Sequence, residues 1–158
     1  MTRPCSTSAA RCSSKENPQG NHAVRYFIDT NIFIFLCKNQ DELAPNVMAL
    51  FADYENMFIM SSESLQEIAV LLQKNKIGVK DWKSYKDVMA SVDANNIQIR
   101  HVTPAHIKTL YEIQLQHYDP VDIMIISQAI TEKTSLISSD EKFKEYQKQG
   151  LNWVPNKR

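Results

Sequence analysis

Short apolar runs alternate along the chain with longer stretches in which apolar residues recur at helical spacing. Runs with the length and the β-branched or aromatic content of buried strands cover residues 26–28, 56–60, 97–101, 135–138 and 151–154. Helical spacing covers residues 32–37, 45–54, 62–75, 81–93, 104–113, 120–130 and 140–149. This alternation with short connections predicts an α/β fold, a parallel sheet between two layers of helices.

The first predicted strand ends abruptly in polar side chains. Tyr26 to Ile28 is apolar, and Asp29, Thr30 and Asn31 follow before the next apolar run begins. These three residue types favour helix caps, so Asp29 or Thr30 serving simply as a cap is one interpretation. The alternative is functional, because open α/β proteins bind ligands where their strands hand over to helices.

Three more acids occupy comparable positions. Asp122 lies in the first turn of the most hydrophobic predicted helix, where Asp119 and Pro120 form a cap-then-proline start. Asp140 follows the strand at 135–138, and Glu67 lies inside a helix and caps nothing. Capping also explains Asp119, Asp122 and Asp140 one at a time. Parallel strands, however, bring their strand-to-helix crossings to one edge of the sheet, which predicts that these acids meet.

A cluster of Asp29, Glu67, Asp122 and Asp140 predicts a metal site. Carboxylates held together repel one another and need shared protons or a cation. Oxygen ligands without cysteine or histidine suit Mg²⁺ or Mn²⁺, and such a site can activate water for attack on a phosphodiester. The histidines lack metal-ligand spacing, and a chain with 3 glycines has no glycine-rich phosphate loop.

Length and composition indicate one globular domain, which we place at residues 25–155 of the 158. Residues 1–24 are rich in Ser, Asn, Pro and Thr without apolar periodicity, which predicts a disordered extension or a start codon assigned too far upstream. The extension lacks the apolar centre of a secretory signal; an organellar address is a minor alternative. No apolar run is long enough to span a membrane. Three cysteines without a metal-type pair fit reduced thiols in the cytoplasm.

Charge gives little support for an extensive nucleic-acid surface. The whole chain carries 18 basic and 18 acidic side chains, and without the extension the balance becomes slightly acidic. A protein of this kind does not coat itself in positive charge for nucleic acid. Any contact with nucleic acid must therefore be local or bridged by metal ions.

Four ordered motifs resemble those of the PIN-domain ribonucleases, and among them the VapC-type toxins of toxin–antitoxin pairs. The resemblance covers about residues 25 to 155 and rests on Phe27-Ile-Asp-Thr-Asn31, Leu65-Gln-Glu-Ile68, His117-Tyr-Asp-Pro-Val-Asp-Ile-Met-Ile-Ile-Ser-Gln-Ala129 and Leu136-Ile-Ser-Ser-Asp-Glu-Lys-Phe143. It implies a five-stranded parallel sheet and metal-dependent endonucleolytic cleavage of structured RNA, often tRNA or ribosomal RNA. It also implies a homodimer that is silenced by a small antitoxin.

The resemblance assigns roles to particular residues. Asp29, Glu67, Asp122 and Asp140 map onto the acidic site of the family, with Asp29, Asp122 and Asp140 as metal ligands. Thr30, Asn31 and Ser138 match positions that steady those acids or bound water, and Asp119 is first a cap and second a ligand. The sequence departs from the family pattern in its N-terminal extension and at Ile123, where many relatives carry arginine.

Two further classes of protein remain as alternatives. One is a non-catalytic PIN-like module that binds RNA or a protein through the same fold. The other is an acid-cluster phosphatase, which is disfavoured because such enzymes generally carry a second Asp two residues after the strand-end nucleophile, where this chain has Asn31.

Overall fold

A computed structural model describes residues 23–158. The predicted disordered extension therefore lies outside the described residues except for its last two positions, and so do Cys5 and Cys12. In the part that is described, no helix is long and apolar enough to cross a membrane.

The described residues form a five-stranded parallel sheet, as the sequence predicts. Its strands in chain order are β1 (Arg25–Ile28), β2 (Met57–Ser61), β3 (Ile97–Arg100), β4 (Ser135–Ser138) and β5 (Trp153–Pro155). They are arranged in the order β3-β2-β1-β4-β5, and every neighbouring pair is parallel. The first strand is therefore central, and its carboxyl end lies between those of β2 and β4.

Helices cover both faces of this sheet. The α-helices are α1 (Thr30–Lys38), α2 (Pro45–Ala52), α3 (Ser62–Gln73), α4 (Tyr85–Ala94), α5 (Pro104–Glu112) and α6 (Pro120–Thr131), and two 3₁₀ helices span Gln40–Glu42 and Glu141–Gln149. Side chains of β1 alternate between the layers: Ile28 packs into one hydrophobic cluster with Phe33, and Phe27 into the other with Ile125. The predicted α/β/α sandwich is confirmed.

Several element boundaries differ from the sequence prediction, and two of them have a clear local cause. Helix α4 begins at Tyr85 rather than near residue 81, because Ser84 and Asp87 form a capping box at that point. Before it, Trp82 is buried against Phe33 as part of the core. Strand β3 ends at Arg100, one residue before the exposed His101.

The predicted last helix is of the 3₁₀ type over its whole length, Glu141–Gln149. Gly150 ends it with a φ of 102°, a left-handed conformation that a side chain disfavours. This helix presents Phe143 and Tyr146 to the core on the side of the sheet that also carries α6.

Candidate active site

Asp29 is fixed at the carboxyl end of the central strand. It caps α1 by accepting a hydrogen bond from the backbone N–H of Ile32 at Oδ1, 2.8 Å away. Its other oxygen, Oδ2, accepts a hydrogen bond from the Ser138 hydroxyl. The side chain is buried, and its backbone N–H donates to the carbonyl of Ile137 on the adjacent strand. Asp29 is therefore a helix cap whose carboxylate is held at the edge of the sheet.

Asp140 lies beside Asp29 because β1 and β4 are neighbours in the sheet. Its backbone N–H donates to Ser138 Oγ over 3.0 Å, and its Oδ1 accepts from the backbone N–H of Lys142 over 2.9 Å. Asp140 therefore caps the second 3₁₀ helix. The Ser138 hydroxyl links the two acids, since it contacts both of them.

The two acids at the start of α6 differ in their roles, because Asp119 caps the helix and Asp122 does not. Asp119 Oδ1 accepts hydrogen bonds from the backbone N–H groups of Val121 and Asp122, at 3.0 and 3.2 Å. Asp119 is the cap, as expected. The carboxylate of Asp122 takes no part in this capping and is mostly shielded from solvent, with 25% of its side chain exposed. A cap alone does not account for that second carboxylate.

Glu67 lies half-buried on α3, a helix that packs against α6. Burial and repulsion from Asp119 raise the pKa of the Glu67 carboxyl above its ordinary value. Of the four predicted acids, Asp29 and Asp140 cap helices, whereas Glu67 and Asp122 do not. Repulsion from Asp119 is the feature that joins Glu67 to the other acids.

Mutual repulsion shows that the structure brings these acids together. Burial raises the pKa of Asp122 to about 7, and repulsion from the acids at 119, 29, 140 and 67 adds to the increase. Burial also raises the pKa of Asp29 to about 6, despite the lowering effect of its hydrogen bonds from Ser138 and Ile32. Side chains from four separate elements thus share one electrostatic environment.

The donor atoms of the cluster suit a hard divalent cation, but the side chains do not converge into a formed metal site among the described residues. All the donors are carboxylate oxygens, and a cation would relieve the repulsion that raises their pKa values. Within residues 23–158, no three His, Cys, Asp or Glu side chains converge closely enough to hold a metal ion.

The two supporting residues on α1 have different environments. Thr30 is buried, and its hydroxyl oxygen has no hydrogen-bond partner among the described residues. Asn31 is exposed in the first turn of the same helix. Their predicted role in steadying acids or bound water stays a prediction.

His117 is a residue that the sequence did not single out for the site. It lies in the connection between α5 and α6, with its Nε2 atom 3.6 Å from Asp122 Oδ2. Its ring stacks near Phe143, and its Nδ1 atom is 3.0 Å from the Tyr146 hydroxyl. The spacing of the histidines in the sequence could not indicate this contact, because His117 meets a carboxylate and not another histidine.

Comparison with known proteins agrees with the fold of the sheet. The model of the PIN domain family matches residues 26–149. The chain belongs to the PIN-domain family. Proteins of this family are generally nucleases and typically use divalent metal ions.

Solved structures share the fold of this PIN domain. VapBC2 from Rickettsia felis, bound to a DNA fragment from its promoter, has a chain 20% identical at a TM-score of 0.61. A chain of DNA-bound VapBC from Salmonella typhimurium is 15% identical with a TM-score of 0.63. A chain of VapBC-1 from nontypeable Haemophilus influenzae is 20% identical with a TM-score of 0.59. Each alignment covers 84% of this chain and 98% of the other. At these identities the likeness establishes the fold.

A shorter similarity involves a larger protein. Over 84 residues, or 53% of this chain, the sequence is 27% identical to a probable ribosomal RNA small subunit methyltransferase A from Pyrococcus abyssi. The matched segment spans 29% of that protein's length.

Proposed function

We propose that this PIN-domain protein is a Mg²⁺- or Mn²⁺-dependent endoribonuclease and the toxin of a toxin–antitoxin pair. The observation that carries the proposal is the set of carboxylates at the carboxyl edge of the sheet, where burial and then mutual repulsion raise the pKa of Asp122 to about 7. Burying like charges together is costly unless a cation meets them. In a family of nucleases, a metal site for phosphodiester hydrolysis accounts for that cost.

The residues divide the work according to how they are held. Asp29 and Asp122 bind the cation directly, and Asp140 binds it directly or through water. Glu67 is a further ligand or orients the attacking water. When bound, the cation supplies positive charge to the phosphodiester and lowers the pKa of water. Ser138 holds the Asp29 carboxylate in place by its hydrogen bond.

Three partners follow from the proposal. The substrate is RNA, with tRNA or ribosomal RNA as the expected class. Two copies of the chain form a homodimer, and a small antitoxin inhibits the enzyme by placing a basic residue in the acidic cluster. The VapBC neighbours and the negative charge of the cluster support the antitoxin. The functional unit is the domain at residues 25–155, acting in the cytoplasm.

A second candidate is a PIN-like module that binds RNA or a protein without cleaving. It is favoured by one observation, that the described acids do not converge on a common point. The two candidates differ in their need for a divalent ion and in whether expression arrests growth.

Incubation of the purified protein with total cellular RNA tests the proposal. Parallel reactions contain Mg²⁺, Mn²⁺ or a chelator, with wild type, Asp122→Asn and Asp93→Asn, an exposed acid on α4 that serves as the control. We expect discrete fragments with metal from the wild type and from Asp93→Asn, and none with chelator or from Asp122→Asn. Intact RNA in all reactions, from folded protein free of inhibitor, would favour the binding module.

A further inference from the structure

The connection between α5 and α6 is fastened to the second 3₁₀ helix. The backbone of Gln114 exchanges two hydrogen bonds with the side chain of Gln149, at 2.7 and 2.9 Å. The backbone N–H of Gln116 donates to the Tyr146 hydroxyl over 2.9 Å. Tyr146 is fully buried. These hydrogen bonds hold the backbone just before His117, which lies beside Asp122 of the acidic cluster.

The hydrogen bonds around Tyr146 select one tautomer of His117. Because the Tyr146 oxygen already accepts from Gln116, its own proton is free to donate to His117 Nδ1, 3.0 Å away. The opposite direction, from Nδ1–H to the hydroxyl oxygen, would leave the buried hydroxyl proton without this partner. A neutral His117 ring that accepts this hydrogen bond at Nδ1 carries its proton on Nε2.

That Nε2 atom has no hydrogen-bond partner among the described residues. It is buried, and the whole side chain is only 9% exposed. Its nearest charged group is Asp122 Oδ2 at 3.6 Å, beyond hydrogen-bond range. A buried donor without an acceptor is unfavourable, and a shift of less than about 1 Å would give it one.

We propose that Tyr146 and His117 form a positioning pair, in which the Tyr146 hydroxyl fixes the ring and Nε2–H donates to Asp122 Oδ2. The pair leaves the other Asp122 oxygen for the cation, and it fixes the rotamer of a carboxylate that the helix cap does not hold. This inference rests on the proposed role of Asp122 as a metal ligand. Removal of a side chain that hydrogen-bonds a metal ligand typically lowers metal affinity by roughly 10- to 100-fold.

Two measurements without RNA test the pair. The first is the ¹⁵N NMR spectrum of histidine-labelled protein, with His117 assigned by substitution, in which we expect the Nε2–H tautomer. The second is Mn²⁺ affinity by calorimetry. His117→Phe keeps a ring against Phe143 but removes both nitrogens, and we expect it to weaken Mn²⁺ binding by about 10-fold or more.

Three further variants make the calorimetry specific. His117→Gln keeps an N–H donor near the Nε2 position and should recover part of the affinity. Tyr146→Phe removes one oxygen atom and should weaken binding and populate the Nδ1–H tautomer. His106→Gln is the control: His106 is also buried and contacts a carboxylate, that of Glu132, outside the acidic cluster, so it should bind Mn²⁺ like the wild type.

Contrary results would be clear. The Nδ1–H tautomer in the wild type would overturn the pair, as would wild-type Mn²⁺ affinity in both His117→Phe and Tyr146→Phe. If His117→Phe does not fold, Tyr146→Phe alone decides. Mn²⁺ binding that depends on His117 in a protein that never cleaves RNA would overturn the nuclease and keep the pair. RNA cleavage that needs Asp122, together with Mn²⁺ binding that does not depend on His117, would overturn the pair and keep the nuclease.

Discussion

The Ser138 hydroxyl donates a hydrogen bond to Asp29 Oδ2, from the end of β4 to the end of the neighbouring central strand β1. The Ser138 Oγ atom also accepts a hydrogen bond from the backbone N–H of Asp140, over 3.0 Å. One buried hydroxyl thus orients the Asp29 carboxylate at the end of β1 and also holds the backbone of Asp140 after β4. This arrangement needs a small side chain with both a donor and an acceptor at the end of β4.

Replacement of Ser138 by alanine should therefore destabilise the fold. The change leaves a buried carboxylate oxygen and a backbone N–H without their partner, which costs about 1–3 kcal/mol per unsatisfied group. It also removes an interaction that lowers the pKa of Asp29, so that pKa should rise further. Urea unfolding measures the first effect. Ser135→Ala on the same strand is the control: it removes only an exposed hydrogen bond from the Asn152 side chain, which water can replace, so we expect a smaller change of about 1 kcal/mol or less. Equal effects of the two variants would contradict the prediction.

The raised pKa values of Asp29 and Asp122 predict that the metal-free protein loses stability as pH rises. Their pKa values are raised from 3.8 to about 6 and about 7, so the folded state binds protons more tightly than the unfolded chain. This contribution is fully present below pH 3.8 and disappears as pH rises through 6 and 7. Its size is on the order of a few kcal/mol for the pair.

Urea unfolding between pH 4 and 8, in chelator, measures this dependence as the difference between wild type and variants. Asp122→Asn should flatten the upper part of the decline and Asp29→Asn the lower part, because each variant removes one titrating carboxyl. Asp93→Asn, exposed on α4, is the matched control and should keep the wild-type slope. A decline of equal steepness in all four proteins would refute the prediction.

The sequence predicts the fold and the positions of the acids for the same physical reason. Asp29 directly follows β1 and Asp140 lies two residues after the end of β4, and a parallel sheet brings such positions to one edge. Local patterns also located the cap at Asp119. These features depend on residues that are close in sequence, where periodicity and capping preferences act.

The contact between Tyr146 and His117 could not be predicted in this way. It joins residues 29 positions apart. The pattern of the 3₁₀ helix places Tyr146 toward the core without indicating which residue its hydroxyl meets, and His117 lies in a connection without a periodic pattern. The same holds for the hydroxyl link between Ser138 and Asp29, which depends on how the sheet neighbours meet. The sequence motif pointed to Ser138 only through family resemblance.

A divalent cation should stabilise the folded protein at neutral pH. Binding selects the deprotonated carboxylates, and at a cation concentration of 100 times the dissociation constant it contributes ~2.7 kcal/mol. We therefore expect the midpoint of thermal unfolding at pH 7.5 to rise with Mg²⁺ or Mn²⁺, and the rise to shrink at pH 5 as Asp122 becomes protonated. Ca²⁺ and added NaCl at matched ionic strength separate specific binding from screening. The same rise in Asp122→Asn would show that the cation binds elsewhere.

Asp29→Asn and Asp122→Asn should abolish RNA cleavage while leaving the protein folded. Asparagine keeps a side-chain oxygen, so at position 29 it can still accept the Ile32 N–H and cap α1. At position 122 the carboxylate takes no part in the cap that Asp119 provides. Each variant removes a negative charge from the site, and we expect losses beyond the roughly 10- to 100-fold typical of residues that only support a metal ligand. Circular dichroism and unfolding confirm the fold, and full cleavage by either folded variant would exclude that residue as a ligand.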